Sequence, residues 1–299
     1  MIVVGKLNET FLQISCERHI AYELNEYFSF KVPNAQFHPK FKSKMWDGKI
    51  RLFNINTGKM YLGLYPYLKE WADKHTYELK TDIVQVTGKS INYEECDAFM
   101  NSISPTVKGK KITPRDYQVE SFVECVKRER ALLLSPTSSG KSLVIYSLIR
   151  WHQQFIENDK ILILVPTTNL VTQMYNDFKD YSSNTSDWNV DNQCHMIYSG
   201  KEKESEKQIY ISTWQSLFRL GTPYFKKFGM VIGDEAHLCN AQSLKGILEK
   251  MTTCRYRFGT TGTITDSKTN KLVLEGLFGK TYTAVTSKQL MDDKHISDL

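Results

Sequence analysis

Residues 135–142 read SPTSSGKS, immediately after the apolar run ALLL and before a helical pattern. A loop between strand and helix that ends Gly-Lys-Ser can wrap phosphate groups with backbone N–H donors, while the helix points its positive end at them. In that arrangement Pro136, Thr137, Ser138, Ser139 and Gly140 form the cradle, Lys141 neutralises the β and γ phosphates, and Ser142 ligates Mg²⁺. Ser135 stands where such loops usually carry their first glycine. Serine there costs some backbone freedom but removes no ligand.

A second chemical centre is MVIGDEAH, residues 230–237, an apolar strand running into two adjacent carboxylates. Asp234 is expected to hold Mg²⁺ through its water shell and Glu235 to take the proton from an attacking water. If the sheet is parallel, both lie at a strand's carboxyl end, across adjacent strand tips from the loop. On their own, two acids at a helix start could equally complement the helix dipole.

These centres need a scaffold. After Thr113-Pro114, RDYQVESFVECVKRE has the spacing of an amphipathic helix. Short apolar runs (ALLL, KILILV, CHMIY, QIYIS, GMVIG, RYRFG) then alternate with helical patterns. Such runs are what a parallel sheet buried on both faces requires. The predicted fold class is therefore α/β, a doubly wound parallel sheet over residues 113–299 with its chemistry at the strands' carboxyl ends. Residues 105–112, with Pro, Gly and lysines, read as a solvated linker. Residues 1–104 read as a small α+β domain: strands IVV and TFLQI, a helix in CERHIAYELNEYF, a hairpin of KIRLFN and KMYLGL, then helices in YPYLKEWADKH and INYEECDAFMNSI.

The bulk composition agrees. The 299 residues are long enough for two cores, and 41% hydrophobic with 24% charged residues excludes disordered and fibrous classes. Cys16, Cys96, Cys125, Cys194, Cys239 and Cys254 are scattered without a C-x-x-C pair, which fits a reducing cytoplasm rather than a zinc or redox site. No apolar run reaches membrane-spanning length, so neither a membrane partner nor export is expected.

Residues 31–59 concentrate Lys31, Lys40, Lys42, Lys44, Lys49, Arg51 and Lys59 against Asp47 alone, with Phe37, Phe41, Trp46 and Phe53 interleaved. Cations that neutralise phosphates beside rings that can stack make up a nucleic-acid surface, with Lys40, Lys42, Lys44 and Trp46 its foremost candidates. A solvated lysine face over core aromatics is the alternative.

In order, SPTSSGKS, GDEAH and FGTTGT (258–263) resemble motifs I, II and III of the superfamily 2 helicases, whose phosphate loops often carry Ser or Ala at the first glycine position. VPTTNLVTQ resembles motif Ia, Tyr198-Ser199-Gly200 falls where motif Ib is expected, STWQSL resembles the next nucleic-acid motif, and TPRDYQ resembles the adenine-recognising Q motif. The resemblance covers residues 112 to about 285 and implies a RecA-like, P-loop fold. It implies ATP and Mg²⁺ as cofactors and further roles residue by residue. Gln118 reads adenine with support from Arg115, and Tyr117 stacks or packs. Pro166, Thr167, Ser199, Gly200, Thr213 and Gln215 hold one strand by its phosphates. His237, Thr261 and Thr263 couple the two sites.

The small domain with its MWDGKIRLF stretch, joined to these motifs, resembles bacteriophage recombination helicases of this superfamily. That implies branched, single- and double-stranded DNA, with RNA–DNA hybrids as a further substrate, in recombination and repair within the host cytoplasm. Superfamily 2 motors close ATP between two sheets, and the second supplies arginines in a Q-x-x-G-R-x-G-R pattern that does not occur here. An arginine finger is worth ~10³ to 10⁵ in rate, so the chain reads as the amino-terminal part of a longer protein, nearly inactive without its second motor domain. An RNA helicase or restriction-type translocase, and a non-catalytic nucleic-acid-binding module, are the competing readings.

Overall fold

The computed structural model describes residues 1–82, 91–136, 138–156, 159–238, 241–262, 268–283 and 285–286. Its centre is a seven-stranded sheet in the order Cys194–Ile197, Ile209–Thr213, Lys160–Val165, Phe228–Gly233, Tyr256–Thr261, Arg130–Leu134, Thr281–Thr283. Every neighbouring pair is parallel. All six apolar runs singled out in the sequence are strands of it. The seventh, TYT, is short and half exposed, and carries no apolar run to betray it.

Because side chains alternate along a strand, each run serves two cores. Ile161, Ile163 and Val165 face one side with Val119, Phe122, Ile145 and Phe178 from the helices Asp116–Arg128, Lys141–Phe155 and Thr168–Tyr181. Leu162 and Leu164 face the other, with Ile247, Leu248 and Leu277 from the helices Ala241–Lys250 and Lys268–Phe278. Burial on both faces is why these strands are continuously apolar.

That second face is shared with the small amino-terminal unit, whose five-stranded sheet runs Phe53–Asn54, Lys59–Tyr61, Phe11–Cys16, Ile2–Lys6, Leu79–Thr81. Leu64, Leu68 and Trp71 belong to the same apolar cluster as Leu272 and Phe278. Contact is close enough to demand glycine: a Cβ on Gly63 would lie 2.1 Å from the Glu275 carbonyl oxygen, and one on Gly276 2.9 Å from Tyr61. Tyr61 and Tyr67 donate hydrogen bonds of 2.6 Å to Glu249 and Glu275. Fully buried Arg257 donates to the Thr10 hydroxyl at 2.7 Å and to the Cys254 and Leu248 carbonyls.

Three local expectations change. The hairpin is confined to Phe53–Asn54 and Lys59–Tyr61, because Lys49–Arg51 pairs instead with Ser29–Lys31. Helix Tyr93–Ser102 forms where expected, closed by an Asn92–Glu95 capping box, but Cys96, Phe99 and Met100 are buried with Phe122 in the core of the seven-stranded sheet. Residues Thr106–Val107 and Lys110–Lys111 pair as a hairpin, with buried Thr106 bonded at 2.8 Å to the Ser183 hydroxyl.

Candidate nucleotide and nucleic-acid sites

The strand Arg130–Leu134 delivers the loop, and Gly140 caps the helix Lys141–Phe155. Gly140 has φ +78°, the left-handed region, and a Cβ there would meet Gln118 Nε2 at 2.3 Å. Ser135 does more than fill the missing glycine's place. Its buried hydroxyl donates to Ser139 Oγ at 2.6 Å, Ser139 Oγ donates to the Pro136 carbonyl at 2.7 Å, and Ser135 N–H is held by the Thr261 carbonyl. The loop is thus tied into shape by its own hydroxyls. Thr137 lies outside the described residues.

Asp234 and Glu235 follow the strand Phe228–Gly233. The expectation of adjacent tips is corrected: Tyr256–Thr261 lies between this strand and the loop's strand. The sites still meet, since Lys141 spans the gap to place Nζ 3.1 Å from Glu235 Oε1 and 3.3 Å from the Ser135 carbonyl. The intervening strand contributes directly. Thr260 donates its hydroxyl to Asp234 Oδ1, and Thr261 Oγ1 lies 2.8 Å from His237 Nδ1, itself 3.3 Å from Glu235 Oε2. Thr260 was not singled out in the sequence, although it neighbours Thr261 in FGTTGT. Thr263 lies outside the described residues.

Ser138, Gly140, Lys141, Ser142, Asp177, Asp234 and Glu235 line one cleft of about 360 Å³. Burial pushes the carboxyls of Asp234 and Asp177 above their ordinary range, opposed by hydrogen bonds from Thr260 and Ser142 respectively. The donors in this cleft (Ser142 hydroxyl, Asp234 and its neighbouring carboxylates) are all hard oxygens, and so fit Mg²⁺. Among the described residues no three His, Cys, Asp or Glu side chains gather as a metal cage. Mg²⁺ typically keeps waters and substrate phosphates as its remaining ligands.

Gln118 is buried and spends its amide on the protein: Oε1 accepts from Arg115 N–H at 2.9 Å and Nε2 donates to the Ser139 carbonyl at 2.9 Å. Tyr117 donates to the same carbonyl at 3.0 Å and receives Arg115 Nη1 at 2.8 Å. The Q-motif segment therefore braces the phosphate loop.

Pro166, Ser199, Gly200, Thr213 and Gln215 line a second cleft of about 560 Å³ along the same edge of the sheet, with Thr167 exposed beside it. Gln215 Nε2 donates to the Pro166 carbonyl at 3.3 Å, tying two of the motifs together. Sequence reading missed Lys201, Lys203 and Arg219, which bring cations to this groove. The first two sit in the mixed-charge run KEKESEK, which reads as ordinary surface.

In the small unit Lys40, Lys42 and Lys44 are exposed, as are Phe37 (68%) and Met45 (78%). Two members of the aromatic set are tied down. Phe53 is core, and half-buried Trp46 donates Nε1 to the Lys49 carbonyl at 2.8 Å. Arg51 is paired with Asp47.

Among the described residues no helix is long and apolar enough to cross a membrane. Residues 111–266 match the family described as type III restriction enzyme, res subunit, and residues 6–82 match that of DNA helicase UvsW, N-terminal. The ATP-dependent DNA helicase uvsW of Enterobacteria phage T4 is 31% identical over 292 residues, 96% of this chain and 57% of its own length. The DNA 3'-5' translocase XPB2 of Sulfurisphaera tokodaii is 29% identical over 159 residues, 53% of this chain and 32% of its own. The chain thus spans little more than half of the first curated relative and a third of the second. The crystal structure of the UvsW helicase from bacteriophage T4 superposes with a TM-score of 0.84 at 30% identity, covering 94% of this chain and 99% of that one. With both its units matched in sequence and in fold, the chain belongs to the superfamily 2 helicases, in the type III restriction enzyme res-subunit family, and groups with UvsW.

Proposed function

We propose that this chain is the first motor unit of an ATP-driven DNA helicase that remodels branched DNA in recombination and repair, acting in the host cytoplasm. The observation that carries the reading is the 3.1 Å approach of Lys141 to Glu235 inside a cleft also lined by Ser142 and Asp234. When bound there, Mg²⁺ with ATP supplies charge neutralisation and a polarised terminal phosphate. Lys141 exchanges Glu235 for the phosphates, Ser142 and Asp234 hold the metal, and Glu235, released, accepts the proton of the attacking water. Gln118 and Arg115 serve the adenine side once the Gln118 amide exchanges a backbone partner for the base.

The groove of Pro166, Ser199, Gly200, Thr213 and Gln215, with Thr167 at its margin, takes one DNA strand by its phosphates, which carry no sequence information. His237, Thr261 and Thr263 link its occupancy to hydrolysis. Residues 1–82, carrying Lys40, Lys42, Lys44 and Trp46, bring duplex or branched DNA to the motor. A second motor domain in the whole protein supplies the arginines missing here.

In the full-length protein, Lys141→Ala should abolish ATP hydrolysis and strand separation while the fold persists. Undiminished ATPase and unwinding would overturn the reading. The res-subunit match supports a second reading, a restriction-type translocase subunit. Comparing ATPase stimulation by forked DNA, plain duplex, RNA–DNA hybrid and RNA distinguishes the two and tests the RNA alternative.

A further inference from the structure

The helix Thr168–Tyr181 begins at one cleft and runs along the other. Thr168 lines the groove proposed for DNA, Leu170, Gln173, Met174 and Asp177 line the nucleotide cleft, and Tyr181 closes the helix. At 1.5 Å per residue the span is roughly 20 Å. Asp177 and Tyr181 are four residues apart and so share a face, the one turned towards Ser142. Tyr181 Oη lies 2.8 Å from Ser142 Oγ, and the Asp177 carboxyl lines the same cleft as Ser142.

The far end of this helix is pinned. Asp180 accepts the Lys108 N–H on both carboxylate oxygens at 2.9 Å, and its carbonyl takes the Thr106 hydroxyl. The hairpin holding these contacts runs directly into the Q-motif segment.

We propose that Asp177 and Tyr181 are positioning residues for the metal ligand Ser142. The proposal rests on the reading of Ser142 as a Mg²⁺ ligand. A hydroxyl that gives a lone pair to a cation must turn its proton away. A carboxylate acceptor fixes that orientation and strengthens the oxygen as a donor. Asp177 supplies the acceptor, and Tyr181 limits the rotation of Ser142. Neither residue belongs to a motif recognisable in the sequence, because both lie in the ordinary amphipathic pattern of NLVTQMYNDFKDY.

The test measures Mn²⁺ binding by electron paramagnetic resonance in the full-length protein with a non-hydrolysable ATP analogue, alongside analogue affinity in EDTA. Asp177→Asn should weaken Mn²⁺ binding about 10-fold or more without weakening metal-free analogue binding. Tyr181→Phe keeps the ring in the core and should shift Mn²⁺ affinity in the same direction by less. It carries the test should the Asn variant fail to fold. Wild-type Mn²⁺ affinity in the folded variants would overturn the proposal. Wild-type affinity in Ser142→Ala would instead overturn the underlying assignment of Ser142.

Discussion

Lys141 on the phosphate loop and Glu235, at the tip of a strand two places away, form an ion pair of 3.1 Å. Each is therefore the other's partner until a nucleotide arrives. In the proposed mechanism a γ-phosphate would offer Lys141 a more highly charged acceptor, and the exchange would leave the Glu235 carboxylate available as a base just when its substrate is present. Without phosphate, hydrolytic machinery held this way stays mutually neutralised.

Glu235→Gln separates binding from turnover. The amide preserves shape but cannot accept the proton, so full-length protein should bind a fluorescent ATP analogue at least as tightly as wild type while kcat falls by about 10² to 10⁴. Nucleotide titration and steady-state ATPase measure the two quantities. A variant that turns over at the wild-type rate removes Glu235 from the base role.

Thr261→Val tests the link between the sites. Thr261 is fully buried and its hydroxyl lies 2.8 Å from His237 Nδ1, which also approaches Glu235. Valine is isosteric but removes this hydrogen bond to the imidazole, a loss of about 0.5–1.5 kcal/mol. ATPase without DNA should persist and its stimulation by DNA should collapse. Equal stimulation in the two proteins would place the coupling elsewhere.

The contrast between these residues and Asp177 shows what the sequence could carry. The buried parallel strands were legible because burial on both faces forces continuous apolar runs, and the Gly-Lys-Ser and Asp-Glu clusters were legible because phosphate and metal chemistry fixes their spacing. Asp177 reaches the cleft, and Thr260 and Tyr181 reach its lining residues Asp234 and Ser142, from elements whose local pattern is only that of a core strand or an amphipathic helix. Their roles depend on strand order, which set Tyr256–Thr261 between the two centres. Phe53, buried in the core, shows the opposite limit: aromatic residues among lysines look alike whether they face solvent or core.

Gly63→Ala probes the docking of the small unit. Its Cβ would lie 2.1 Å from the Glu275 carbonyl oxygen and 2.7 Å from that of Gly276. Backbone on both sides cannot yield as a side chain would. Overpacking of this kind costs about 1–3 kcal/mol, and thermal unfolding should shift down or split as the units separate. An unchanged single transition would show that the contact relaxes freely.

Lys40, Lys42 and Lys44 lie exposed around the short helix Pro39–Lys42, beside exposed Phe37 and Met45. Arg51, by contrast, is already paired with Asp47 and has less charge to offer a phosphate. If these lysines neutralise three duplex phosphates, each releases counterions on binding. Changing all three to alanine should then reduce the slope of log K against log salt by about 2 to 3 in the full-length protein. Fluorescence anisotropy with duplex and forked DNA over a salt series reads the slope. Affinity at low salt should fall more than affinity at high salt, because the lost contribution is the screened one. An unaltered slope would mean that these side chains form a solvated face.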